Sequence, residues 1–167
     1  VDRVSCMETA LFLGRDYRPR LIHAELPSAL AASGAVVIEG ARATGKTMTA
    51  VNAAASYVFL DEVEARNLLE IAPRALLDGA APRLLDEWQT APDLWNLVRR
   101  AVDASGVPGR FILTGSAVPP DDLTRHTGAG RFLRLRERTM TWCEKLAPST
   151  QVSLAQLFEA RAPQTDS

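Results

Sequence analysis

The chain is poor in the residues that build disulfide frameworks and zinc sites. It has two cysteines, Cys6 and Cys143, far apart in the sequence, and two histidines, His23 and His126. Neither a disulfide framework nor a zinc site fits this count. Sparse, separated cysteines are typical of a reducing compartment, so we expect a cytoplasmic protein.

The sequence also lacks a charge excess and a long apolar run. Lys and Arg number 19 against 20 Asp and Glu, which gives a formal charge of −1. This balance excludes a surface built wholly to grip nucleic acid, but it leaves a local basic patch open. No apolar run approaches the roughly 18 residues of a membrane helix. The acidic residues near the N-terminus make it a poor signal peptide, so we expect no membrane association.

What the sequence does contain is an alternation of short apolar segments and helical patterns. The 167 residues, 47% of them hydrophobic, suffice for one domain with a real core. Alternating strands and helices predict an α/β fold with a parallel sheet. Thr90 and Asp93 have the spacing of a capping box before one helix. Five strands are predicted, at 35–40, 57–61, 83–88, 110–116 and from residue 131 onward.

Residues 40–47 read GARATGKT and match the pattern G-x-x-x-x-G-K-[ST], the Walker A motif, in full. Gly40 and Gly45 let successive backbone N–H groups turn toward phosphates, and Lys46 brings a charge to the β- and γ-phosphates. Thr47 offers a hydroxyl to Mg²⁺. A buried-strand pattern precedes the loop and a helix pattern follows it, as the motif requires. The predicted nucleotide-binding residues are Gly40, Ala41, Arg42, Ala43, Thr44, Gly45, Lys46, Thr47 and Met48.

Two acidic pairs follow predicted strands and compete for the Mg²⁺ and water side of such a site. Asp61 and Glu62 come barely one helix after Lys46, whereas Asp86 and Glu87 come one strand and helix later. We therefore predict Asp86 as the residue that holds the water shell of Mg²⁺ and Glu87 as the group that polarises the attacking water. The first pair is interpreted as acids at a helix N-terminus.

The fourth predicted strand ends in Thr114, Gly115 and Ser116. A polar side chain at this point would lie between the strand of the phosphate loop and the strand of the acids. Thr114 is the first candidate for a residue that senses the γ-phosphate or the attacking water, and Ser116 is the second.

The segment 125–138 carries five arginines against one acid, Glu137. On a strand, Arg134, Arg136 and Arg138 would share one face, with Leu133 and Leu135 on the other, as expected of a charged edge strand. The alternatives are a nucleic-acid contact or an arginine that reaches the transition state, for which Arg131 is the candidate. No aromatic residues alternate with these arginines, which weakens the case for nucleic acid.

Several segments together resemble a family of AAA-type ATPases, AAA family fourteen. They are YRPR, VVIEGARATGKT, LLDEWQ, LWNLVRRAVD, FILTGSA and HTGAGR, in order along most of the chain. The resemblance implies ATP as the nucleotide and an AAA-like P-loop NTPase sandwich of three layers. Its five-stranded parallel sheet would be of the type with an additional strand and a catalytic glutamate. The resemblance also places Arg18 and Arg20 near the outer side of the nucleotide.

The resemblance suggests a P-loop AAA-type ATPase domain over 1–145, including a short N-terminal extension over 1–16. Residues 146–167 are expected to form a linker or tail with a short helix near 152–160. Family members typically continue into a second C-terminal domain of unknown function, so we expect an isolated ATPase domain here. Sites of this type commonly take an arginine from a neighbouring subunit or partner.

The expected function is Mg²⁺-dependent ATP binding with slow hydrolysis by in-line attack of water. One alternative is a small-molecule kinase, in which the arginine-rich segment would act as a lid. A water-polarising acid argues against it, because a kinase must exclude water. Another alternative is an ATP-binding interaction module without turnover. A GTPase is disfavoured because the chain has no N-K-x-D motif.

Overall fold

A computed structural model describes residues 17–116 and 128–145 of the chain. The predicted N-terminal extension, the tail with its short helix, and Arg125 lie outside the described residues. The α-helices within them are α1 (Leu26–Ala32), α2 (Lys46–Ala53), α3 (Val63–Ile71), α4 (Leu94–Ser105) and α5 (Trp142–Lys145). The strands are β1 (Ala35–Glu39), β2 (Ser56–Phe59), β3 (Arg83–Asp86), β4 (Phe111–Gly115) and β5 (Phe132–Arg136). Short 3₁₀ helices cover Leu21–Ala24, Pro73–Leu77 and Trp88–Thr90.

The five strands form one parallel sheet in the order β2-β3-β4-β1-β5. β4 therefore lies between β1, which leads into the phosphate loop, and β3, which ends in Asp86. Because all strands run the same way, their carboxyl ends meet at one edge of the sheet. The predicted α/β fold with a five-stranded parallel sheet is confirmed.

Helices cover both faces of the sheet and make three layers. On one face, side chains of β1 such as Val36 and Ile38 pack with Leu26 of α1 and Ala50 of α2. On the other face, Val37 belongs to a cluster with the apolar stripe of α4, namely Leu94, Trp95, Val98 and Val102. Strands buried on both faces explain why their sequences are continuous apolar runs.

Two details of the predicted elements are corrected. β3 ends at Asp86 rather than at Trp88, because Glu87 adopts a left-handed backbone conformation (φ 55°) and stops the strand. The capping box before α4 is absent: Asp93 makes no side-chain cap, and the hydroxyl of Thr90 donates to the carbonyl of Glu87 at 2.9 Å. A 3₁₀ turn occupies the place where the spacing suggested a cap.

β5 is an edge strand, and its charges are arranged as predicted for Arg134 and Arg136 but not for Arg138. Arg134 and Arg136 are exposed, whereas Leu135 between them is buried. Arg138 lies beyond the end of the strand. Charged side chains on such an edge disfavour pairing with a strand of another chain.

Candidate functional site

The phosphate loop joins β1 to α2 at the carboxyl edge of the sheet. Gly45, the residue before α2, has a φ of 105°, and Ala43 has a φ of 61°. Both lie in the left-handed region, which glycine adopts freely and alanine only at a cost. The loop therefore turns sharply at two places just before the helix. This geometry leaves the first N–H groups of α2 available to an anion at the helix N-terminus.

Gly40 is needed for a different reason, namely space. A Cβ atom at this position would collide with the backbone carbonyl oxygen of Glu137, which lies just after β5. The start of the loop therefore packs directly on the main chain of the neighbouring segment.

Lys46 is the first residue of α2 and is 6% exposed. Its Nζ donates to the carbonyl oxygen of Ala41 at 2.7 Å, and the hydroxyl of Thr44 donates to the same oxygen at 3.0 Å. The ammonium group is thus held inside the loop by a neutral acceptor, and no carboxylate among the described residues is bonded to it. An arriving phosphate would offer Lys46 a stronger, charged partner. Arg42 lies exposed on the loop, and Met48 lies half-buried in α2.

Asp86 occupies the end of β3 and is 5% exposed. Its Oδ1 accepts a hydrogen bond from the hydroxyl of Thr47 at 2.9 Å and another from the hydroxyl of Thr114. The structure therefore brings together residues from the phosphate loop, β3 and β4. Thr114 is 1% exposed, and its hydroxyl is directed at Asp86. In this arrangement Thr114 donates to the carboxylate of Asp86, and its role as a sensor stays a prediction.

The buried position of Asp86 affects its acidity. Burial raises the pKa of Asp86 above the ordinary value of 3.8, and the hydrogen bonds from Thr114 and Thr47 oppose this rise only in part. The negative charges of Glu87 and Asp61 add to the upward shift. A nearby cation would reverse the direction of this effect.

The oxygens of Thr47 and Asp86 fit a Mg²⁺ ion. Mg²⁺ binds oxygen ligands and is usually held by one or two protein side chains together with substrate phosphates and water. A hydroxyl at the start of α2 and a buried carboxylate 2.9 Å away form such a partial ligand set. Within residues 17–116 and 128–145, no group of three or more His, Cys, Asp or Glu side chains forms a self-sufficient metal site.

Glu87 follows Asp86 and turns away from the strand. Its left-handed backbone places a non-glycine residue in a costly conformation, of the kind that collects at functional sites. The side-chain amide of Gln89 donates to the Glu87 carboxylate. Gln89 was not identified from the sequence, although its position two residues after Glu87 is part of the LLDEWQ segment. It orients Glu87 through the 3₁₀ turn that follows β3.

A cavity of about 480 Å³ opens beside the loop. Ser116 lies on its wall and is therefore better placed than Thr114 to meet a bound group. The residues around it come from the phosphate loop and from the ends of β1, β4 and β5. They are Glu39, Gly40, Ala41, Thr44, Gly115, Ser116, Arg136, Glu137, Arg138 and Thr139.

Two predicted arginine placements are corrected. Arg131 lies at the amino end of β5, where its carbonyl accepts from the N–H of Ala35 and its side chain pairs with Asp103 at 2.7 Å. The five residues of β1 separate this end from the phosphate loop, roughly 16 Å along the strand. Arg131 therefore does not reach the loop of its own chain. Arg20 lies under the loop rather than outside it, bonded to the carbonyl of Thr44.

The competing acidic pair has a different environment. Asp61 and Glu62 are both exposed, and Glu62 immediately precedes the first residue of α3. Neither residue shares a hydrogen bond with Thr47, whose hydroxyl is occupied by Asp86. The interpretation of this pair as acids at a helix N-terminus agrees with its position.

The sheet order, the loop and the Thr47–Asp86 contact together define an α/β protein with a P-loop NTPase-like fold. The family model described as "AAA domain" matches residues 32–145. The chain belongs to this family, which is known for binding ATP. A search of curated proteins finds no match. Over the described part of the chain, none of the helices is long and apolar enough to cross a membrane.

Proposed function

We propose that this chain binds ATP together with Mg²⁺ and hydrolyses it slowly by in-line attack of water. The observation that carries the proposal is the contact between Thr47 and Asp86. It joins the phosphate loop to the end of β3 with a hydroxyl and a buried carboxylate 2.9 Å apart. Together these two side chains would supply part of a Mg²⁺ coordination shell, which phosphate oxygens and water would complete.

Binding rests on the loop and the N-terminus of α2. The N–H groups after Gly45 bind phosphate oxygens with help from the helix dipole. Lys46 leaves the carbonyl of Ala41 and pairs with the β- and γ-phosphates, because a charged acceptor forms the stronger hydrogen bond. Thr47 and Asp86 would hold Mg²⁺, which would neutralise phosphate charge when bound.

Hydrolysis rests on Glu87. Its carboxylate, oriented by Gln89, accepts a proton from the water that attacks the γ-phosphate. Thr114 keeps Asp86 in place from below, and Ser116 contacts the nucleotide from the wall of the cavity. We expect slow turnover, because the two arginines that line the cavity, Arg136 and Arg138, are exposed side chains at the end of β5 and just beyond it. An arginine supplied by a second copy or a partner stays a prediction, as does a contact with nucleic acid.

The two lysines of the chain allow a matched test. Lys46→Ala should weaken binding of a fluorescent ATP analogue by about ten- to hundredfold, because a charge-assisted contact to phosphate is lost. Lys145→Ala removes the same group from the exposed end of α5 and should leave the dissociation constant within about twofold. Phosphate release should require Mg²⁺ and should stop with EDTA. A wild-type protein that binds no ATP analogue, or two lysine variants that behave alike, would refute the proposal.

A further inference from the structure

Arg20 is a buried cation placed beneath the phosphate loop. It lies just before the first 3₁₀ helix, and its side chain is 6% exposed. Its guanidinium group donates to the carbonyl of Thr44 in the loop and to the carboxylate of Glu137 at 2.6 Å. It also donates to the carbonyl of Arg138 at 2.7 Å and to Glu144 of α5 at 3.0 Å. One side chain thus connects the loop with the end of β5 and with α5.

The phosphate loop depends on this support because its own conformation is costly. The left-handed backbone of Ala43 is unfavourable for a residue with a Cβ atom. Thr44, the next residue, is the one whose carbonyl Arg20 holds. A Cβ atom at Gly45 would lie 3.0 Å from Nη1 of Arg20 and 3.1 Å from Oε1 of Glu137. The Arg20–Glu137 ion pair therefore packs directly against the second half of the loop, at Thr44 and Gly45.

The charge of Glu137 is a second reason why a cation is needed at the position of Arg20. Its side chain is 1% exposed and lines the cavity beside the loop. A negative charge at this position would repel the phosphates of a nucleotide unless a cation compensates it. Arg20 is that cation, bonded directly to Oε1. Removal of one partner from a buried ion pair leaves the other charge uncompensated.

We propose that Arg20 is a positioning residue for nucleotide binding, which holds the phosphate loop through the carbonyl of Thr44 and neutralises Glu137 beside the phosphates. Arg20 acts through these two residues and does not touch the nucleotide. The inference rests on the proposed ATP site and goes beyond it, since it assigns binding energy to a residue outside the loop.

The test compares variants that break different contacts of the same guanidinium group. Arg20→Gln should raise the dissociation constant of a fluorescent ATP analogue by about tenfold or more. Glu144→Gln weakens the contact to Nε, which lies on the side away from the loop, together with the bonds that Glu144 accepts from Leu21 and Thr141. It leaves the contacts of Arg20 with Thr44 and Glu137 in place and should raise the dissociation constant by less than about threefold. The double variant Arg20→Gln with Glu137→Gln should recover part of the affinity, because the uncompensated carboxylate is gone.

A second readout does not depend on ATP. Amide hydrogen exchange over residues 40–47 of the nucleotide-free protein should speed up in Arg20→Gln and stay near wild type in Glu144→Gln. Thermal unfolding checks that each variant is folded. If Arg20→Gln does not fold, Arg20→Lys replaces it, because lysine keeps the charge but cannot serve four acceptors in a fixed geometry.

Three outcomes are decisive. Equal dissociation constants and equal loop exchange for Arg20→Gln and wild type would overturn the inference. An affinity loss in Arg20→Gln and Glu144→Gln that simply follows their loss of thermal stability would overturn it as well. If the wild type binds no ATP while loop exchange still depends on Arg20, the proposed function fails and the positioning of the loop stands.

Discussion

β2 and β3 are neighbours in the sheet, and acidic residues lie at or just after the end of each strand. The two acidic pairs nevertheless differ in burial, in hydrogen-bond partners and in backbone conformation. Asp86 is 5% exposed and accepts hydrogen bonds from hydroxyl groups of α2 and β4, whereas Asp61 is exposed. Glu87 has a left-handed backbone and an amide partner, whereas Glu62 has ordinary extended backbone before a helix. The number of acids after a strand therefore says little. What distinguishes the proposed catalytic pair is that the phosphate loop and β4 supply hydroxyl groups that donate to Asp86.

The largest expected difference between the pairs concerns the second acid. Glu87→Gln should lower kcat for ATP hydrolysis by about 10²- to 10⁴-fold, because the group that accepts the proton from water is removed. ATP binding should be retained, since Glu87 takes no part in holding the phosphates. Steady-state phosphate release and equilibrium binding measure the two effects separately.

Glu62→Gln is the control for this variant. It makes the same chemical change at an exposed carboxylate after β2 and should leave kcat within about twofold. Equal losses in both variants would remove the distinction between the pairs. A Glu87→Gln protein that hydrolyses ATP like the wild type would show that another group activates the water.

An intermediate effect concerns stability and follows from the burial of Asp86. Because burial raises its pKa, the charged form of Asp86 costs folding free energy at neutral pH. Asp86→Asn should therefore raise the free energy of unfolding of the nucleotide-free protein at pH 7 by about 0.5–2 kcal/mol, the usual size of a single stabilising substitution. Urea unfolding with EDTA present measures it.

The sign of this effect fixes its pH dependence. A folded-state pKa above the ordinary 3.8 means that the penalty is present at neutral pH and disappears as the pH falls through the folded pKa toward 3.8. The gain from Asp86→Asn should shrink over the same range. Asp61→Asn, at an exposed position, should give no comparable gain. A destabilised Asp86→Asn protein at pH 7 would mean that hydroxyl donation from Thr47 and Thr114 outweighs the cost of burial.

The acidic pairs also show how far the sequence carries a prediction. The phosphate loop, the strand before it and the choice of Asp86 over Asp61 as the Mg²⁺-site acid are predicted from local patterns. These patterns are the spacing of the motif and the order of strands along the sequence. The pairing of Arg20 with Glu137 does not follow from local patterns. The two residues are 117 positions apart, and only the folded chain brings them together.

Direction is likewise hidden from the sequence. The position of Thr114 near the end of β4 predicts a contact with the nucleotide, whereas its hydroxyl donates to Asp86 in the structure. Arg131 was assigned to the phosphates from the glycines before it, but β5 runs parallel to β1 and places its first residues at the far edge. Neither direction can be read from residue type or spacing.

The smallest expected effect concerns the dipole of α3, the helix that follows Asp61 and Glu62. Glu64 lies in the first turn of α3 and Glu70 lies in its last turn, and both are exposed. The helix dipole favours a negative charge at the first position and disfavours one at the second. Glu64→Gln should lower the free energy of unfolding by about 0.3–1 kcal/mol, and Glu70→Gln should leave it unchanged or raise it slightly. Both effects should fade in high salt, because exposed charges are screened.

Neither Glu64→Gln nor Glu70→Gln should alter phosphate release. A shift in the same direction for both would mean that net charge rather than position governs α3, and a loss of turnover in Glu64→Gln would bring the acids near β2 back into the candidate site.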